Sequence, residues 1–179
     1  MKKFAREFLI IVLSALVILL LVQIFFIGRA EVKGSSMEPN LHDSQRILVN
    51  KLAYAFSEPN RGDIIVFTPP YPSDHDLIKR IIGLPGEKVE MKDGVVYIHQ
   101  SDGTTLTLDE HEYIENPSMS YYMSSKIPLD SYFVLGDNRN NSGDSRGGWF
   151  VSRDDIHGKA WFSIWPLSEW GSVLNYALP

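Results

Sequence analysis

Two serines and a lysine carry the most chemical promise in this chain. Ser35 and Ser36 stand in "GSSMEPNL" (Gly34 to Leu41), directly after the most apolar part of the sequence, and Lys79 stands in "DLIKRIIGLPG". A serine hydroxyl is a poor nucleophile until a neighbouring base takes its proton, and histidines, carboxylates and neutral lysines are the candidate bases. Strand alternation sends Leu77, Lys79 and Ile81 to one face and Ile78, Arg80 and Ile82 to the other, so Lys79 has only apolar neighbours on its own side. A lysine with a pKa of about 10.4 is neutral in roughly one molecule in 2,500 at pH 7, a handicap of about 4.6 kcal/mol for a general base. Burial in apolar surroundings lowers that pKa by about 3 units or more and removes most of the handicap. Two plainer readings fit the same residues. The serines can shape a turn before Pro39, and Lys79 can lay its stem on apolar surface with its ammonium in water.

The other candidates narrow quickly. Cysteine is absent, which removes thiolate nucleophiles, disulfides and cysteine-based zinc sites together. Of the five histidines, His42, His75, His99, His111 and His157, none sits in a recognisable block, and a histidine-based serine hydrolase stays open as an alternative. A lysine three residues after the nucleophile, as in penicillin-binding enzymes, is excluded because that position is Pro39. The loop "GDNRNNSGDSR" (Gly136 to Arg146) invites a calcium reading, but its third liganding position would be the cation Arg139 and the required glycine is displaced. No metal and no cofactor are expected. A net charge of −5 without a basic stripe argues against a nucleic-acid partner.

The elements that position these residues begin with a membrane segment. Phe8 to Gly28 reads "FLIIVLSALVILLLVQIFFIG", 21 residues without a charge. At about 1.5 Å per residue a helix of that length spans roughly 30 Å, the thickness of the hydrocarbon layer. A cleaved signal peptide is the rival, since "GRA" (Gly28 to Ala30) resembles a small-residue cleavage site, but such peptides have apolar cores of about 7–15 residues. Lys2, Lys3 and Arg6 precede the span, while Arg29 and Lys33 follow it with Glu31 between them, so the positive-inside bias places the N-terminus in the cytoplasm. The expected division is residues 1–28 as N-terminus and single-pass anchor in the plasma membrane, and 29–179 as an extracytoplasmic β domain. Ser36, eight residues past Gly28, is then tethered within roughly 26 Å of the bilayer.

That domain reads as mainly antiparallel β. "RILVNKL" and "DIIVF" are short β-branched runs with a turn at "RGD" (Arg61 to Asp63), and "LPG" (Leu84 to Gly86) suits a type II turn. "KVEM", "VVYIH" and "TTLTL", joined through "KDG" and "SDG", form an expected three-stranded meander. Residues from about 99 to 126 carry neither period strongly and are expected as a small insertion. "SYFVLGD" and "KAWFSIWP" restore strands. Of the C-terminal aromatics, Trp161 and Phe162 are expected in the core and Trp170 at the surface.

Taken together, "SMEPNL", "RGDIIVF", "KRIIGLPGE" and "GDNRNNSGDSR", in this order behind an N-terminal anchor, resemble the bacterial type I signal peptidases. The resemblance runs from the anchor to about residue 166. It implies an antiparallel β catalytic domain and a membrane-bound serine endopeptidase that removes signal peptides from exported preproteins through an acyl-enzyme, with small side chains preferred one and three residues before the cut. It implies Ser36 as nucleophile and Lys79 as general base. It further implies a supporting Ser142 hydrogen-bonded to the lysine, and a structural ion pair between Asp144 and Arg146. Some members carry a serine or threonine two residues before the nucleophile that helps to stabilise the oxyanion; here that position is Gly34, which leaves the Ser36 backbone N–H as donor. The threonine usual before the final leucine of the first block is Asn40. An inactive, membrane-anchored homologue that binds preproteins is the alternative from another class.

Overall fold

The computed structural model describes residues 2–179, apart from the side chains of residues 2, 5 and 19–25. A helix, α1 (Lys2–Phe26), comes first. It is followed by β1 (Ile27–Glu31), β2 (Arg46–Asn50), β3 (Ile64–Phe67), β4 (Leu77–Gly83), β5 (Lys88–Lys92) and β6 (Val95–His99). Then come β7 (Thr105–Leu108), β8 (Tyr122–Met123), β9 (Ser131–Leu135), β10 (Val151–Ser152), β11 (Ile156–Trp165) and β12 (Gly171–Ser172). Among the described residues, which leave out the side chains of residues 19–25 of α1, no helix is long and apolar enough to cross a membrane. The helix stops at Phe26 because the next residues are taken into a ladder: Ile27 pairs with Asn50 and Gly28 with Val49. Ala30 of the "GRA" tripeptide likewise lies in β1, opposite Ile47.

The larger sheet has the order β1-β2-β11-β3-β4-β9-β10, with β12 also on β11, and the smaller has the order β7-β6-β5-β8. Every pairing is antiparallel. β3, "IIVF", is buried at every position because it lies between β11 and β4 with both faces covered. The meander is β5, β6 and β7, whose first hairpin turns on Asp93 and Gly94, both at positive φ as a two-residue turn requires. Leu84–Gly86 closes as expected, with Gly86 at φ +85° and the Glu87 N–H donating to the Leu84 carbonyl. The stretch 99–126 supplies more than irregular chain: it contains β7, and its β8 pairs with β5 at Glu90 and Met91. A two-residue strand is too short to show a period.

Three apolar clusters fill the domain. Met37 and Leu41, each 1% exposed, pack with Ile64, Val66 and Ile78 in the first, so the serine stretch is anchored from beneath. A second joins Ile82, Val89, Ile98 and Phe133 between the two sheets. A third holds Ile65, Phe67, Ile81 and Val134. Burying each such side chain contributes about 1.5–3 kcal/mol before the entropy cost of ordering it. The "RGD" tripeptide is a buried turn: Arg61 makes a two-pronged bond to Glu87 at 2.8 and 2.9 Å, while Asp63 accepts from Tyr54 Oη and Lys159 Nζ. Trp161 departs from expectation. It is half-exposed on β11, edge-on to Phe162, and Trp165 and Trp170 are exposed too.

Candidate active site

Lys79 Nζ donates to Ser36 Oγ at 2.6 Å, although the two residues are 43 positions apart. Lys79 is 3% exposed, so it does not snorkel. The strand alternation placed it correctly, opposite Ile65 of β3, in the layer that also holds Ile81. Its amine also donates to the Ile78 carbonyl at 3.0 Å. Burial lowers its pKa to about 8, against the opposing pull of the Asp144 and then the Asp137 carboxylate. At pH 7 about one molecule in ten then has a neutral amine, and the general-base handicap falls to about 1.4 kcal/mol.

Ser36 is held by its own loop and by a second one. Gly34, at φ +76°, donates its N–H to Asp43 Oδ1, and the Asn40 and Leu41 N–H groups both donate to the Met37 carbonyl in a tight turn. From the 136–146 loop, the Asn138 N–H donates to the Ser36 carbonyl at 3.0 Å, and Asn138 Nδ2 donates to the Ser35 carbonyl at 3.1 Å. Asn141 Nδ2 donates to Ser35 Oγ at 2.9 Å. Gly136 lies where any side chain would run into the Ser36 carbonyl and Ser142 Oγ, so only glycine lets the loops approach this closely.

The loop's own scaffold is ionic. Asp144 is fully buried and accepts from Arg146 Nε at 2.7 Å and Nη2 at 2.8 Å, and from the Gly136 N–H at 3.1 Å. Arg139 pairs with Glu110 through two bonds of 2.6 Å. Ser142 differs from expectation: its buried Oγ has no hydrogen-bond partner among the described residues, so the bond to Lys79 is not made. The structure packs it against Gly136, beside the Ser36 carbonyl.

Several residues here were not singled out from the sequence. Asn138 and Asn141 lie inside "GDNRNNSGDSR", where nothing in the sequence itself gives them a role. Arg80 points away from Lys79 and is wholly buried in a two-pronged pair with Asp137, at 2.8 and 2.7 Å. Its signal was a cation in the middle of an otherwise apolar run. The histidines lie elsewhere in their bonding: His99 with Glu90, His111 with Asp109, His157 with Asp76. Among the described residues no histidine hydrogen-bonds to Ser36, and no group of acidic or histidine side chains could hold a metal ion.

A cleft of about 250 Å³ opens over the pair, lined by Glu31, Val32, Ser36, Tyr71, Ile78 and Lys79 among others. It is flanked by two strand edges. Among the described residues β1 pairs only with β2, and β9 meets β4 only from Arg80 onward, leaving residues 77–79 unpaired on that side.

The family described as signal peptidase, peptidase S26, matches residues 5–165. This chain belongs to that family. Among similar proteins, the probable signal peptidase I-1 of Synechocystis sp. (strain ATCC 27184 / PCC 6803 / Kazusa) is 38% identical over 181 residues, covering 97% of this chain and 89% of its own. The signal peptidase I of Leptolyngbya laminosa is 41% identical over 156 residues, covering 83% and 74%. The signal peptidase IB of Staphylococcus aureus is 35% identical over 192 residues, covering 98% and 97%. A crystal structure of a signal peptidase I from Enterococcus faecalis V583 is similar at 34% identity and a TM-score of 0.47, covering 57% of this chain and 97% of that one. As a member of the signal peptidase family, the chain is a serine endopeptidase.

Proposed function

We propose that the protein removes signal peptides from exported preproteins, with Ser36 as nucleophile and Lys79 as general base. The observation that carries this reading is the 2.6 Å contact between Ser36 Oγ and a buried amine whose pKa has fallen to about 8. Once that amine loses its proton the bond reverses, and the serine O–H donates to Nζ. Oγ then attacks the scissile carbonyl as its proton passes to Lys79. The carbon–nitrogen bond breaks, and the leaving amine takes that proton. A water molecule next attacks the ester, giving a proton to Lys79, which returns it to Oγ as the acid departs. The Ser36 N–H donates to no acceptor among the described residues and is left to serve the oxyanion.

The flanking edges of β1 and residues 77–79 suit an extended substrate, which adds backbone hydrogen bonds to a sheet edge and leaves specificity to shallow pockets. The α1 helix acts as a single-pass anchor with its N-terminus in the cytoplasm. Its 25 residues span about 37 Å. Phe8, Ile11 and Ile18 are each more than 60% exposed, a state that lipid accommodates and water penalises. The exposed Trp161, Trp165 and Trp170 suit the headgroup region. The deciding experiment incubates detergent-purified protein with a synthetic peptide spanning a cleavage site and maps the products by mass spectrometry. Cleavage at one bond, lost in Lys79→Ala and kept in His75→Ala, supports the reading; full activity of Lys79→Ala sinks it.

A further inference from the structure

Asn40 stands where the family pattern has threonine, and the structure shows a use for the difference. Its Nδ2 donates at 2.9 Å to Asp137 Oδ2 and at 2.9 Å to the Tyr113 carbonyl. Asp137 is the buried partner of Arg80, which follows Lys79 in β4, and the next residue, Asn138, holds the Ser36 carbonyl. Tyr113 belongs to the stretch before β8, and its ring lies 4.4 Å from the Arg80 guanidinium. Its hydroxyl donates to Glu110, the carboxylate that holds Arg139. The connections therefore close a ring: Ser36 loop, Asn40, Asp137, Arg80, Lys79 and back to Ser36. A threonine hydroxyl has one proton to give and serves one of the two acceptors; an amide NH₂ serves both.

We propose that Asn40 is a positioning residue for peptide cleavage, locking the Ser36 loop to the Arg80–Asp137 pair and to the segment around Tyr113. This rests on the Ser36–Lys79 reading above. Asn40 touches neither reacting atom. Its effect is on the separation of Oγ and Nζ, and a displacement of about 1 Å at a reacting group costs about 100-fold in rate.

The test uses the full chain in a nonionic detergent and a peptide containing a cleavage site. It compares the wild type with Asn40→Ala and Asn40→Thr in kcat, in KM, in turnover per active molecule taken from the acyl-enzyme burst, and in hydrogen exchange of amides 36–41. For Asn40→Ala the expected result is a kcat at least about tenfold lower with KM within about twofold, and faster exchange across 36–41. Asn40→Thr regains part of kcat through a single bond to Asp137. Unchanged turnover per active molecule, with any loss explained by a smaller folded fraction, overturns the proposal. If the wild type itself does not cleave, the dyad reading fails, and exchange still decides Asn40: rates across 36–41 that match the wild type overturn its role.

Discussion

Asn138 grips the two serines of the nucleophile loop at consecutive carbonyls, its backbone N–H on Ser36 and its side chain on Ser35. The serine is thus placed by a loop a hundred residues away and not by its own turn alone. Asn138→Ala removes the side-chain bond and keeps the backbone one. The expected outcome is a kcat lowered about 10- to 100-fold with the melting temperature nearly unchanged, measured by steady-state peptide cleavage and thermal unfolding.

Gly136→Ala tests the closeness of the same two loops. The added methyl meets the Ser36 carbonyl and Ser142 Oγ, so one loop must retreat. Activity should fall by more than about 100-fold while stability falls by about 1–3 kcal/mol, as overpacking usually costs. Normal activity in this variant would show that the approach is not needed.

Lys79 exacts a stability cost that can be read directly. Its folded pKa of about 8 lies below the ordinary lysine value of 10.5, so the folded state resists the proton that the unfolded chain accepts. The penalty is absent above about pH 10.5, grows as pH falls through that range, and is complete below about pH 8. Lys79→Met should therefore be inactive yet more stable than the wild type at pH 7 by up to about 3 kcal/mol, with the difference shrinking toward pH 10. Urea unfolding at several pH values checks the trend.

The same titration sets the activity profile. Cleavage needs the neutral amine, so kcat/KM should rise with pH and level off above about pH 8. The Asp144 carboxylate is the foremost charge holding the lysine pKa up, so Asp144→Asn should move the rising limb to lower pH. It also strips Arg146 of its partner, and breaking a buried pair this way costs about 3–5 kcal/mol, less here because Arg146 is 20% exposed. A limb that stays put, or moves upward, contradicts the electrostatic account.

Local patterning made the strands and turns legible. "KDG" and "LPG" are read from turn chemistry that tertiary context did not override, and β2, β3 and the meander fall where β-branched runs predict. Alternation identified the face of Lys79 but not its burial, because β4 is covered on both faces and Arg80 is as deeply placed as the isoleucines. Nothing in local spacing brings residue 36 to residue 79; that pairing came from the ordered blocks of the resemblance. The resemblance also supplied the Asp144–Arg146 pair, which forms, and the Ser142 bond, which does not. β8 and the exposure of Trp161 escaped for a common reason: both depend on which neighbours the chain meets, a long-range property that a two-residue strand or a lone aromatic does not encode.

The position of β11 makes the sheet depend on a segment from the far end of the chain. This late segment, Ile156–Trp165, lies between β2 and β3, so the early strands are joined into one sheet only through it. Without that middle stave, the sheet's hydrogen-bonded link between β2, which follows the Ser36 loop, and β3, which pairs with the Lys79 strand, is missing.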